Sequence, residues 1–189
     1  MECVARIRFL VVRRLLSAAA VAFAAAALDA KVFLTQEEAL KLAFPGATIE
    51  HKIAYLTAAQ QKQAQKLSGD EDLPGAIVSY YVGTKDGRPV GTVYFDTHVV
   101  RTMPETIMVE VDPSGLVLRI EVLSFSEPEE YLPRAHWYEQ FQGKPLDDEL
   151  SLKRAIRPVT GATLTAHATT DAARRVLALD RVLRQSPTK

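Results

Sequence analysis

The chain has 189 residues, 23 of them basic and 23 acidic, and nearly half are hydrophobic. That length suits one domain able to bury a core, and the balanced, scattered charge lacks the basic face that nucleic-acid binding requires. One cysteine, Cys3, excludes a disulfide framework, a cysteine-ligated metal site and a CxxCH haem attachment.

At the N-terminus Arg6, Arg8, Arg13 and Arg14 precede an apolar run over residues 15–28, broken by Ser17 and closed by Asp29. The run is shorter than the roughly 20 residues of a membrane span, and its order of basic, apolar and small residues is that of a secretory signal. Residues 1–30 are therefore expected to be a signal peptide, cleaved after Ala26, Ala27 or Ala30. Counting the apolar stretch from Phe9 gives the competing expectation, an uncleaved signal anchor. Either way the chain is expected in the periplasm or at the extracytoplasmic face of the plasma membrane. Cleavage would also remove Cys3, leaving no thiol.

Residues 31–75 are expected to form an N-terminal helical region. Thr35 and Glu38 have the spacing of a capping box, with Leu34 placed to pack on Ala39, and Pro45-Gly46 stops that helix at Phe44. Thr57 opens a second helix reaching Leu67, polar and expected to be mostly solvated. Residues 68–75 are a loop by composition. From Ala76 the periodicity becomes alternating. Residues 76–82 and 90–100 flank a turn-rich stretch, 83–88, and Val93, Phe95, Thr97 and Val99 share one face opposite Tyr94, Asp96 and His98. Ile107, Val109 and Val111 belong to a third strand, and residues 116–123 to a fourth. Asp112-Pro113-Ser114-Gly115 supplies the turn between them. A segment around residues 134–141 carries Trp137, Tyr138 and Phe141, and a terminal helix presents Ala172, Ala173, Val176, Leu177, Leu179, Val182 and Leu183 as an apolar stripe for the sheet. The pattern predicts an α+β fold, an antiparallel sheet of about four or more strands packed with helices.

The usual catalytic signatures, HExxH, GxSxG, the P-loop and the dinucleotide glycine fingerprint, are absent. His51, His98, His136 and His167 lie far apart and read as surface or half-buried residues, so no metal site is expected. Glu127, Glu129 and Glu130 read as a solvated loop, with a hydrolytic Glu127–Glu129 pair as the enzyme alternative. The stretch PVTGATLTAHATTDAARRVL, residues 158–177, is the richest in chemistry. Its hydroxyls and small residues precede a helix, and two readings fit them: capping by Thr165 or Thr169, or a phosphate site on the helix N-terminus, with Gly161 giving close backbone approach and Ala162 little bulk.

Thr160-Gly161-Ala162-Thr163 resembles the S/T-G-A-T motif of the extracytoplasmic FMN-binding domain family, which includes flavoprotein subunits of the sodium-pumping NADH:quinone reductases and of the Rnf complexes. Residues 38–46 (EALKLAFPG), 111–116 (VDPSGL), Glu127-Pro128 and residues 140–144 (QFQGK) resemble further family elements in the same order. The resemblance makes residues 76–189 the FMN-binding domain. It implies an electron carrier rather than an enzyme, with FMN joined by a phosphoester to the Thr163 hydroxyl. A separate, magnesium-dependent flavin transferase would attach it from FAD. Thr160, Gly161, Ala162, Leu164 and Thr165 would surround the attachment point and Glu127 would lie near the flavin ring. The partners implied are that transferase, a membrane-bound electron donor and an extracytoplasmic acceptor. Two differences accompany the likeness: Arg157 stands where the family usually has aspartate, and residues 128–133 (PEEYLP) replace the TPGLG run of the respiratory subunits. The alternative is a ligand-binding or assembly component of an envelope redox complex, with FMN held non-covalently or with no flavin.

Overall fold

A computed structural model describes residues 31–70, 73 and 75–185; the expected signal segment 1–30 lies outside them. The chain order is β1 (Lys31–Val32), α1 (Gln36–Ala43), β2 (Thr48–Tyr55), α2 (Ala58–Ser68), β3 (Ile77–Lys85), β4 (Arg88–Val99), β5 (Pro104–Val111), β6 (Val117–Phe125), a 3-10 turn (Glu129–Tyr131), α3 (Ala135–Tyr138) running into a second 3-10 turn (Glu139–Phe141), and α4 (Thr163–Gln185). The strands form one antiparallel sheet in the order β1-β6-β5-β4-β3-β2. The α+β expectation holds.

Local chemistry sets the boundaries. Thr35 and Thr57 each cap a helix through a complete capping box, with Glu38 and Gln60 as the returning side chains. Gly69, at positive φ, ends α2. The β3–β4 connection is tighter than the expected 83–88, because Asp86 and Gly87 both take positive φ and close a two-residue hairpin of the primed type. In the β5–β6 turn the Asp112 carboxylate accepts from the amides of Ser114 (2.7 Å) and Leu116 (2.9 Å).

One expectation for residues 31–75 is corrected. The region is not purely helical: β1 and β2 occupy the two edges of the sheet, so 31–75 and 76–185 share one fold. Helix α2 is mostly solvated, as expected, with Ala64 and Leu67 packing on the main core.

Both faces of the sheet are covered. On one, Val78, Tyr94, Ile107, Val109, Val111 and Ile120 pack under α4, α2 and α3 around Trp137, Phe141, Val176 and Leu177. On the other, Ala39, Ala43 and Phe44 of the α1 segment meet Val93, Met108 and Leu123. The alternation read along β4 is thus a division between two cores. Phe44 occupies a notch made by two cross-strand partners, Gly83 and Gly91. A Cβ on Gly83 would collide with the Phe44 ring, and one on Gly91 would lie 3.5 Å from it. Gly83→Ala should therefore destabilise the fold by about 1–3 kcal/mol through overpacking, read as a lower urea midpoint at unchanged m-value.

Candidate functional site

Helix α4 starts earlier than the threonine pattern suggested. The Ala166 amide donates to the Ala162 carbonyl at 2.9 Å, so the alanine occupies the cap position and Thr163 is the first helical residue. Neither Thr165 nor Thr169 caps the helix, and Thr163 is not on a loop. The buried threonines have other partners. Thr165 donates to the Tyr131 carbonyl (2.5 Å), Thr169 to Glu105 (3.3 Å) and Thr170 to the Ala166 carbonyl (2.6 Å). An alanine cannot accept a hydrogen bond through its side chain, and the amides of Thr163, Leu164 and Thr165 have no acceptor among the described residues. A 23-residue helix therefore opens with free N–H groups and the positive end of its dipole.

A cleft of about 240 Å3 lies at this end, lined by Arg101, Tyr131, Gly161, Ala162, Thr163, Leu164 and Thr165. The exposed Thr163 hydroxyl donates back to the Val159 carbonyl at 3.0 Å. Gly161 has φ 86°, and a Cβ there would meet nothing within 4 Å. It is needed for its left-handed backbone rather than for close packing, and the space beside it is open. Ala162 is buried, and Thr160 is exposed in the preceding turn. The Arg101 guanidinium sits 4.5 Å from the centre of the Tyr131 ring, giving the cleft a cation.

Glu127 stands against the β4–β5 turn. It does not line the cleft. Its Oε1 accepts from the Thr102 amide (2.7 Å), the Met103 amide (3.0 Å) and the Thr102 hydroxyl (3.1 Å). The Thr102 amide, ahead of the other donors and against the opposing effect of burial, holds its carboxyl below the usual range. Glu127 thus pins the β4–β5 turn and with it Arg101. Glu129 points elsewhere, to Lys31 at 2.7 Å, so the two glutamates do not form a hydrolytic pair.

A second cleft, about 530 Å3, meets the first at Leu164 and is lined also by His98, Val99, Val100, His167, Asp171 and Arg175. Beneath it lies a buried charged network that the sequence reading missed. Arg175 grips Asp96 through Nε (3.0 Å) and Nη2 (2.9 Å) and reaches Asp70 through Nη1 at 2.5 Å. His98 bridges Asp96 at Nδ1 (2.9 Å) and Glu105 at Nε2 (3.0 Å). Glu105 is fully buried, and its other oxygen has no hydrogen-bond partner among the described residues. His98 is half-buried, as expected, but its side chain is only 9% exposed and engaged at both ring nitrogens. The signal in the sequence was the Asp96-x-His98 alternation on one strand face; its Arg175 partner lies 79 positions away.

Arg157 borders a third cleft with His136, Trp137, Gln140, Lys144 and Thr160. Its carbonyl accepts from the Trp137 indole at 2.7 Å and its amide donates to Gln140 at 2.9 Å. Among the described residues no helix is long and apolar enough to cross a membrane, and no three or more His, Cys, Asp or Glu side chains are grouped to hold a metal ion.

Comparisons with protein-family models, with curated proteins and with solved structures give no match.

Burial alone would depress the His98 pKa, but the hydrogen bonds and charges of Asp96 and Glu105 outweigh it and raise it to about 9. Since the folded value exceeds the free imidazole value of 6.5, the contribution of His98⁺ is complete below about pH 6.5 and is lost as pH rises through about 9. Urea unfolding should show a loss on the order of 3 kcal/mol between about pH 6 and pH 10. His98→Leu should be destabilised at the lower pH and show little of that slope.

Proposed function

We propose that the chain is an FMN-binding electron-transfer domain, with the phosphate end of the flavin at the start of α4 and Thr163 as its covalent acceptor. The observation that carries this reading is the conjunction of three unpaired amides, those of Thr163, Leu164 and Thr165, with an exposed hydroxyl and the Arg101 cation around one cleft. Each element suits a phosphate: free amides donate to its oxygens, a guanidinium pairs with its charge, and a hydroxyl is the atom that a phosphoester needs. The donor set therefore fits the phosphate of FMN. At about 240 Å3 the cleft is smaller than the roughly 300–1,000 Å3 typical of a site enclosing a whole small molecule. It suits the phosphate end, while the adjoining cleft beyond Leu164 offers apolar surface on Leu164 and Val99 and polar groups on His98 and Arg175.

The chain's own residues have separable tasks in this reading. The Thr163 hydroxyl donates its hydrogen bond to the Val159 carbonyl, which leaves the oxygen lone pairs unshared. Attachment would join Thr163 Oγ1 to the FMN-side phosphorus of FAD as the bond from that phosphorus to the bridging pyrophosphate oxygen breaks, AMP leaving with that oxygen and the hydroxyl proton passing to solvent. Gly161 and Ala162 keep bulk away from that oxygen. Arg101 balances phosphate charge, and Glu127 positions Arg101 by fixing residues 102 and 103. Bound flavin would supply one- or two-electron transfer, between a membrane donor and an extracytoplasmic acceptor.

A second reading, an FMN or other phosphate ligand held without a covalent bond, is favoured by the basic cleft of His136, Lys144 and Arg157 beside Thr160. Co-expression with a flavin transferase separates the two. The covalent reading expects flavin fluorescence that survives a denaturing gel, is abolished in Thr163→Ala and persists in Thr165→Ala. Arg101→Gln should lower the labelled fraction about tenfold, the loss of one charge-assisted contact. Flavin absorbance that disappears on denaturation and dialysis would establish non-covalent binding. A colourless protein, both from its native source and from co-expression, would overturn flavin binding in either form.

A further inference from the structure

The sheet ends at β2, an eight-residue strand paired only with β3. Apart from one lysine it lacks the usual protections of a long edge. It contains no proline, its register with β3 is unbroken from Thr48↔Thr84 to Tyr55↔Ile77, and all but Lys52 and Ala54 of its residues are exposed. Its only charges, Glu50 and Lys52, lie 3.2 Å apart and cancel.

The backbone phase of the edge follows from one bond. The Leu56 amide donates to the Ala76 carbonyl at 2.7 Å, so even-numbered positions turn their polar groups towards β3. By alternation Ile49, His51, Ile53 and Tyr55 turn theirs outward. Placing a two-fold axis beside His51 pairs His51 with its own copy. Ile49 then faces Ile53 of the second copy, and Glu50 faces Lys52 of the second copy. The outward groups fall opposite one another as hydrogen-bonded pairs, the isoleucines meet on one face, and opposite charges meet on the other. Nearby, Ile53, Tyr55 and Ile77 are 51%, 70% and 62% exposed on the isoleucine face, so the strand pairing extends an apolar patch across the axis.

We propose that two copies of the chain join through β2 in this register, as a symmetric dimer with one continuous antiparallel sheet. The occupant is a second copy because the strand is complementary to itself in both charge and apolar pattern, as a two-fold contact requires. Flavin plays no part in this pairing.

Sedimentation velocity on the full chain at about 0.1 mM, where a modest edge contact is populated, is expected to show a dimer. Lys52→Glu sets one carboxylate against another at both symmetric positions and should raise the dimer Kd at least tenfold. The double exchange Glu50→Lys with Lys52→Glu restores opposite pairs and should recover the dimer. Thermal melts of each variant distinguish lost pairing from lost folding. Independently, His51→Cys in a Cys3→Ser background should cross-link on mild oxidation, since residues in such pairs lie about 5.5 Å apart at Cα, within disulfide range; Glu50→Cys should cross-link far less. A monomer at every concentration, a dimer unaffected by Lys52→Glu, or equal cross-linking at both positions would overturn the proposal.

Discussion

A guanidinium held between two carboxylates under the longest helix determines how the rest of the molecule is arranged. Arg175 projects from the middle of α4 onto Asp96 of β4 and Asp70 after α2, while His98 extends the chain of contacts to Glu105 of β5. Two strands, one helix and one connecting segment are thereby joined through side chains that are buried except for the partly exposed Asp70. Burying such charges is expensive, and an apolar substitute of the same shape would often be no less stable. What the arrangement supplies is direction: the fork of Arg175 meets Asp96 in only one rotation of the helix. Apolar contacts along the α4 stripe would tolerate neighbouring rotations, since alanine, valine and leucine pack without directional bonds.

That rotation matters at the far end. Thr163 lies twelve residues before Arg175, about 18 Å along the axis, on the same rigid element. Fixing Arg175 on the sheet fixes where the free amides of the first turn point. Tyr94 to Asp180 (3.2 Å) and Arg184 to the Pro113 carbonyl (3.2 Å) hold the other end of α4 in the same way. Opposite the first turn, Glu127 imposes the shape of the β4–β5 turn that carries Arg101. The cleft is thus built from two separately immobilised parts, a helix start and a strand connection, rather than from a flexible loop folding over a ligand.

The sequence made some of this plain and hid other parts for physical reasons. Capping boxes are local, so Thr35 and Thr57 announced their helices and the structure has both. The Asp112 turn was equally visible. Strand β2 went unread although Ile49, His51, Ile53 and Tyr55 alternate with Thr48, Glu50, Lys52 and Ala54; the run is short and polar, and only Ala54 is buried. The start of α4 was misplaced because threonine hydroxyls suggest caps, whereas here they bond to carbonyls and to Glu105. Glu127 stood out in the sequence as a residue with a task, but only coordinates could show that it holds backbone amides. In the Arg175–Asp96–His98 network only the Asp96-x-His98 spacing is local; Arg175 lies 79 positions away and leaves no motif to read.

The Phe44 ring seated on Gly83 and Gly91 also governs alignment. Immediately beyond this pair the β3–β4 register shifts, between Gly83 and Thr84, and such irregularities are where strands slip most readily. Moving β3 by two positions would bring Tyr81 or Lys85 beneath the ring in place of a hydrogen atom. The end of the first helix therefore acts as a gauge for the hairpin: it seats only when the two glycines stand opposite each other, and a misaligned sheet is left with an aromatic ring that has nowhere to go.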